Sequence, residues 1–152
     1  MMERKPRQPT AKVPSGKCTQ KQSLRVLIGD DDIEMRCLLG DALRKDGHTV
    51  VLAEDGVQVF QKVLFGVPSS SSGLNDEPMD VVILDNRMPG LTGLELLEHL
   101  RSSGREVPVI LITAFADEQT RREARRLGAA AFLSKPFNME LLREAVCEVA
   151  KA

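Results

Sequence analysis

The sequence predicts an α/β fold, a doubly wound parallel sheet of the (βα)5 kind, and three observations carry that prediction. Five apolar runs recur along the chain, a helical segment follows each of them, and chemically active polar residues close four of the runs. Strands that are apolar on both faces belong to parallel sheets covered by helices on both sides. Right-handed crossovers distribute those helices over the two faces. In such sheets ligands sit outside the carboxyl ends of the strands.

The elements follow in order. Leu24–Ile28 is the first run, and the helix over Ile33–Lys45 clusters Leu38, Leu39, Ala42 and Leu43. Thr49–Ala53 is the second run, followed by a helix from Gly56 to Phe65. A long loop over 66–79, rich in Ser, Gly and Pro, exceeds the usual connection of about 2–6 residues and leads into the third run, Asp80–Leu84. Because it joins a helix to a strand, that loop belongs to the rim opposite the strand carboxyl ends. Its Ser69–Ser72 stretch reads as linker. Gly93–Leu100 is helical through Leu94, Leu96, Leu97 and Leu100, and Pro108–Ile112 is the fourth run. A strongly charged helix spans Asp117–Leu127, Ala130–Leu133 is the fifth run, and Asn138 N-caps a last helix to Val149.

Composition bounds the function. The 152 residues suit one domain, 23–152, preceded by a segment 1–22 that holds Pro6, Pro9, Pro14 and Gly16 and shows no apolar periodicity. Such a segment buries too little surface to offset its ordering entropy, so it is expected to be a disordered basic tail. Arg4, Lys5, Arg7, Lys12, Lys17 and Lys21 stand there against Glu3. A net charge of −1 argues against direct nucleic-acid binding by bulk electrostatics. No run approaches the roughly 18 apolar residues of a membrane span, and the basic N-terminus lacks the apolar stretch of a signal peptide. Cys18, Cys37 and Cys147 are scattered and odd in number, which reads as reduced thiols. The expected compartment is the cytoplasm.

Chemistry concentrates at the run ends. The first ends in Gly29-Asp30-Asp31-Asp32, the third in Asp85, the fourth in Thr113-Ala114 and the fifth in Ser134-Lys135-Pro136. Each has a plain reading. The acidic triplet could be a helix N-terminal charge pattern, Asp85 a cap for the following helix, Lys135 a cover for a helix end, and Thr113 the last residue of a strand. Jointly they place several carboxylates on one rim, where like charges repel unless a cation neutralises them. Oxygen ligands with room for water suit Mg2+. Lys135 and Thr113 add an ammonium and a hydroxyl, so a dianionic phosphoryl group fits among them.

The stretches Val-Leu-Ile-Gly-Asp-Asp-Asp (26–32), Val-Ile-Leu-Asp-Asn-Arg-Met-Pro-Gly (82–90), Ile-Thr-Ala (112–114) and Ala-Phe-Leu-Ser-Lys-Pro-Phe (131–137) resemble the receiver domains of two-component response regulators, the CheY-like family. The likeness extends over residues 24–151. It implies a flavodoxin-like sheet in strand order 2-1-3-4-5, an order for which the family itself is a standard example. It further implies that Asp85 is the nucleophile and becomes the aspartyl phosphate. Asp31, Asp85 and the backbone carbonyl of Arg87 would ligate Mg2+, with Asp30 holding metal-bound water. Lys135 would contact a phosphoryl oxygen and precede a cis bond to Pro136. The Thr113 hydroxyl and the backbone N–H groups of Ala114 and Asn86 would bind the other oxygens. The implied protein is a phospho-acceptor regulator rather than an enzyme. Its implied donor is a sensor histidine kinase or histidine phosphotransfer protein, and its output a downstream protein target.

In the family, Thr113 couples to an aromatic switch residue on the fifth strand and remodels the face of the fourth helix, fifth strand and fifth helix. The same face could pair two copies into a homodimer. Here the ring is Phe132, which has no hydroxyl, and an interaction module of the same fold without phosphorylation stays open on that account. Arg87 and Phe115 are bulky neighbours of the acceptor and suggest shielding of the phosphate from water. An Asp-nucleophile phosphatase would need an acid two residues after Asp85, where Arg87 stands. Arg121, Arg122, Arg125 and Arg126 read as a solvated face of the fourth helix, or as a docking patch. His48 and His99 lie away from the acidic rim and receive no chemistry.

Overall fold

The structure, a computed structural model, describes residues 23–66 and 78–151. The expected basic tail 1–22 and most of the expected loop 66–79 lie outside the described residues. Strands β1 (Arg25–Gly29), β2 (Thr49–Ala53), β3 (Val81–Asp85), β4 (Val109–Thr113) and β5 (Ala131–Ser134) alternate with helices α1 (Ile33–Lys45), α2 (Gly56–Phe65), α3 (Gly93–Ser102), α4 (Glu118–Arg126) and α5 (Met139–Lys151). The strands form one sheet in the order β2-β1-β3-β4-β5, as the resemblance implies. All four pairings are parallel.

The two-residue period of a strand sorts the core into two layers. On β3, Val81 and Ile83 join Leu39 and Leu43 of α1 and Leu142, Val146 and Val149 of α5. Val82 and Leu84 turn the other way, to Val59 of α2, Leu96, Leu97 and Leu100 of α3 and Ala124 of α4. Both faces of the central strands are therefore dry, which is why their sequences are apolar without alternation. Among the described residues, no helix is long and apolar enough to cross a membrane.

Four strands extend one residue further toward their carboxyl ends than the apolar runs. Asp85 pairs with Ile112 and Thr113 with Ser134 inside the ladder. Backbone pairing does not require an apolar side chain, so the ladder continues past the point where hydrophobic burial stops. That shift makes Asp85 and Thr113 sheet residues, held more rigidly than loop residues would be.

Side-chain caps start the helices. Asp32, Asp55, Thr92 and Asp117 accept from the backbone N–H groups of Glu34, Gln58, Glu95 and Thr120. Asn138 accepts from Leu141, as its N-cap reading requires. At the rim opposite Asp85, His48 has a structural task. Its Nδ1 accepts the Leu24 N–H at 3.1 Å. Burial lowers its pKa, against a smaller upward pull from Asp46. One expectation is corrected: Cys37 is a free, exposed thiol, but Cys147 is disulfide-bonded rather than reduced.

Gly93 is where α3 meets the sheet. A Cβ there would lie 2.7 Å from Leu111 Cδ1, 3.0 Å from Asn86 Cα and 3.1 Å from the Asp85 carbonyl oxygen. Two of those neighbours are backbone and cannot swing away. Gly93→Ala is therefore expected to destabilise the fold by about 1–3 kcal/mol through overpacking, although Ala is the better helix former. Urea unfolding checks this; an unchanged midpoint would show that the 85–86 backbone yields freely.

Candidate functional site

The carboxyl ends of β1, β3, β4 and β5 bring together the residues that the sequence nominates. Ligand oxygens of Asp30, Asp31 and Asp85 all lie within 4.8 Å of one another. Asp30 and Asp85 are only 2% and 7% exposed, whereas Asp31 faces solvent. Lys135 reaches in from beyond β5, its Nζ 3.0 Å from Asp85 Oδ1 and 3.7 Å from Asp30 Oδ2. The Lys135–Pro136 peptide is cis.

The acidic triplet divides between its two readings. Asp32 is the N-cap of α1, the plain role. Asp30 instead turns inward and accepts the Asp32 N–H at 3.0 Å. Nor does Asp85 cap α3, because Thr92 does so in a reciprocal capping box with Glu95. The neighbouring Asn86 ties down the same helix end. Its Oδ1 accepts the Leu94 N–H at 3.0 Å, and its carbonyl accepts the Gly93 N–H at 2.9 Å.

Electrostatics follow from crowding and burial. Burial raises the Asp30 pKa, the Asp32 N–H partly offsets this, and the charge of Asp85 raises it further. Asp85 is also raised, by burial first, against the hydrogen bond and charge of Lys135. For Lys135, burial pulls down, but the hydrogen bond and charge of Asp85, with Asp30 behind, leave the ammonium above its ordinary value. Raised folded-state values mean that folding favours the protonated acids. Their stabilising contribution is present below the ordinary carboxylate pKa and is lost as pH rises through the raised values. At neutral pH the buried charges of Asp30 and Asp85 therefore cost stability. Three clustered carboxylates and a site open through Asp31 make a hard, all-oxygen donor set, which fits Mg2+ better than a softer metal.

Thr113, 1% exposed, sits on the neighbouring strand. Its Oγ1 accepts the Phe115 N–H at 3.0 Å, leaving the hydroxyl proton to be donated elsewhere. Ala114 beside it is exposed. The Asn86 N–H, nominated for a phosphoryl oxygen, is instead donated to the Ile112 carbonyl at 2.9 Å within the sheet. The backbone N–H of Arg87 is the one that lies against the Asp85 carboxylate. The Arg87 guanidinium sits 4.3 Å over the ring of Phe115, so these two side chains form a stacked pair. Phe132 is half-buried under Arg121 of α4, 4.8 Å from guanidinium carbon to ring centroid.

Sequence reasoning missed Arg36. Its side chain is buried, and Nη1 donates to the Asp30 carbonyl at 2.7 Å. This bond holds the loop that aims Asp30 and Asp31. The one available signal was its place between Met35 and Cys37 on α1.

The model of the response regulator receiver domain matches residues 26–147. Sporulation initiation phosphotransferase F of Bacillus subtilis is 30% identical over 122 residues, covering 80% of this chain and 90% of that protein. Response regulator MprA of Mycobacterium ulcerans is 37% identical over 120 residues, covering 79% of this chain. The match spans 47% of MprA, so the chain corresponds to about half of that relative. Among solved structures, the receiver domain of Francisella response regulator 1452 superposes with a TM-score of 0.75 at 26% identity, covering 85% of this chain and 98% of that one. Chemotaxis protein CheY4 of Vibrio cholerae gives 0.72 at 28% identity, covering 84% and 99%. With its sheet order and its acidic rim, this chain belongs to the response regulator receiver domain family.

Proposed function

We propose that the chain is a phospho-acceptor switch, taking a phosphoryl group from a phosphohistidine onto Asp85. The observation that carries this reading is the Lys135 ammonium 3.0 Å from Asp85, within a carboxylate triad at the strand carboxyl ends. A structural ion pair would not need two further acids facing it.

In the transfer, an oxygen of Asp85 forms the new bond to phosphorus while the bond from phosphorus to the imidazole nitrogen breaks. Phosphoryl transfer asks mainly for in-line placement and for neutralisation of charge on the equatorial oxygens. Lys135 exchanges its contact with Asp85 for one with a phosphoryl oxygen. Thr113 donates its hydroxyl proton to a second oxygen, a charge-assisted bond that draws its side chain toward the site. Ala114 offers a backbone N–H. Because the Asn86 N–H is already donated to Ile112, the Arg87 N–H takes the place first given to Asn86. Asp31, Asp85 and the Arg87 carbonyl, with Asp30 behind, would hold Mg2+, which would supply charge neutralisation for the phosphoryl oxygens. The Arg87–Phe115 pair screens the acyl phosphate from water.

The motion of Thr113 passes to Phe132 and to the α4–β5–α5 face, where a downstream protein, or a second copy of the chain, reads the state. The donor is a sensor histidine kinase or a histidine phosphotransfer protein. The chain acts in the cytoplasm, as a regulator and not as an enzyme with turnover on an external substrate.

Incubation with acetyl phosphate and Mg2+, read by intact mass, tests the assignment. One phosphoryl adduct is expected on the natural chain, none after metal removal with EDTA, and none on Asp85→Asn. No adduct even from a phosphohistidine donor would leave an interaction module without phosphorylation. The charge argument has its own test. Asp30→Asn removes one repelling carboxylate while its amide oxygen can still accept the Asp32 N–H. In EDTA its melting temperature is expected to rise by roughly 2–4 °C. Saturating Mg2+ should stabilise the natural chain and stabilise the variant less. A fall in EDTA would show that the triad is not under repulsion.

A further inference from the structure

Among the described residues, the buried polar or charged ones are Asp30, Arg36, Asp85 and Thr113. All but Arg36 have a part in the proposed transfer. We infer that Arg36 is the positioning residue of the cation site: it aims Asp31 and thereby sets the affinity of the rim for a divalent cation. The inference rests on the reading of Asp30, Asp31 and Asp85 as the group that holds Mg2+.

Core packing does not account for an arginine at this position. Arg36 lies on the inner face of α1 with Leu39, Gly40 and Leu43. Taking a charge out of water is unfavourable, and an apolar side chain of similar volume commonly gives an equally or more stable core. Stability alone would therefore place a leucine or a methionine here. What an apolar residue cannot do is donate a hydrogen bond. Arg36 Nη1 donates to the Asp30 carbonyl at 2.7 Å, a short, charge-assisted bond.

That bond closes a clamp on three residues. Arg36 holds both ends, because its backbone N–H also donates to the Asp32 carbonyl at 2.9 Å. The Asp32 N–H returns to Asp30 Oδ1 at 3.0 Å, and the Asp30 N–H donates to the Ala53 carbonyl of β2 at 3.2 Å. Asp31 stands exposed at the apex of this loop. Among the described residues, no hydrogen bond or ion pair holds its carboxylate, so its aim comes from the backbone that carries it. The peptide joining Asp30 to Asp31 is planar, and the plane includes both Cα atoms. Holding the Asp30 carbonyl therefore holds the direction in which Asp31 leaves the chain. In that direction an oxygen of Asp31 lies within 4.8 Å of oxygens of Asp30 and Asp85.

Without the clamp, Asp31 is free to follow the repulsion of its neighbours outward into solvent. Cation binding would then have to restore the geometry, and affinity falls accordingly. Groups that orient metal ligands typically change metal affinity ~10–100-fold when they are removed.

The test measures Mg2+ binding to the full chain by isothermal titration calorimetry, with no phosphodonor present. Arg36→Met keeps the bulk of the stem and removes the donor. Its dissociation constant is expected to rise about ten-fold, with no loss of melting temperature in EDTA. Arg36→Lys retains a charged donor and should recover much of the affinity. Hydrogen exchange at the Asp32 amide in EDTA should quicken in the Met variant, while the β3 amides stay as they are. With acetyl phosphate, the Met variant should need more Mg2+ for half its labelling rate and reach the natural rate at saturation. Should the Met variant fail to fold, Arg36→Gln, polar and too short for the Asp30 carbonyl, takes its place under the same expectation. A folded variant that binds Mg2+ as the natural chain does would overturn the inference, and so would a Lys variant no better than Met or a natural chain that binds no Mg2+. A Met variant that loses stability in EDTA but keeps its Mg2+ affinity would make Arg36 a structural residue only. A natural chain that binds Mg2+ yet takes no phosphoryl group would sink the phospho-acceptor reading alone and leave the comparison of affinities to decide the role of Arg36.

Discussion

The gathering of three carboxylates within 4.8 Å of one another, with two of them buried, is the constraint on which the site depends. Two of them are nearly buried, where water screens little. Left alone, such a cluster would relax by rotating outward or by taking up protons. It does neither fully, because Lys135 stands fixed against Asp85 and Asp30, and because the backbone beneath the acids is tied from several sides. An acidic cluster of this kind could hold a metal ion.

Those ties come from distinct parts of the sheet. Asp85 is held in register with Ile112, and Asn86 donates to the Ile112 carbonyl while capping the start of α3. Arg36 fastens the Asp30 carbonyl from α1. The Lys135 N–H donates to the Thr113 carbonyl at 2.8 Å, so the cation and the hydroxyl move as neighbours. Stacking of Arg87 on Phe115 and of Arg121 on Phe132 links the rim to the surfaces around it.

Much of this was legible in the residues. Apolar runs without alternation gave parallel strands, and their polar termini named Asp30, Asp31, Asp85, Thr113 and Lys135 before any geometry was known. The site was readable because its chemistry requires rare residue types at fixed strand ends. Three features were not readable, each for a physical reason. Strand ends lay one residue beyond the apolar runs, since ladders follow backbone hydrogen bonds and not hydrophobicity. The Asn86 N–H was spent on the sheet, a fact that depends on register between β3 and β4. Arg36 was hidden because an arginine in an amphipathic helix looks like a solvated residue until its depth is known. Cys147 differed again, since scattered cysteines do not announce their pairing.

The central claim is that the strand carboxyl ends form one prearranged pocket for a phosphoryl group on Asp85. Its most direct measurement is a 1H–15N NMR titration of the full chain with beryllofluoride, a phosphoryl mimic, in the presence of Mg2+. The account predicts saturable shifts at the amides of residues 30–31, 85–87, 113–115 and 135, spreading to Phe132 and α4, and none of these in Asp85→Ala. Shifts confined to the opposite rim around His48, or an unchanged response in Asp85→Ala, would contradict it.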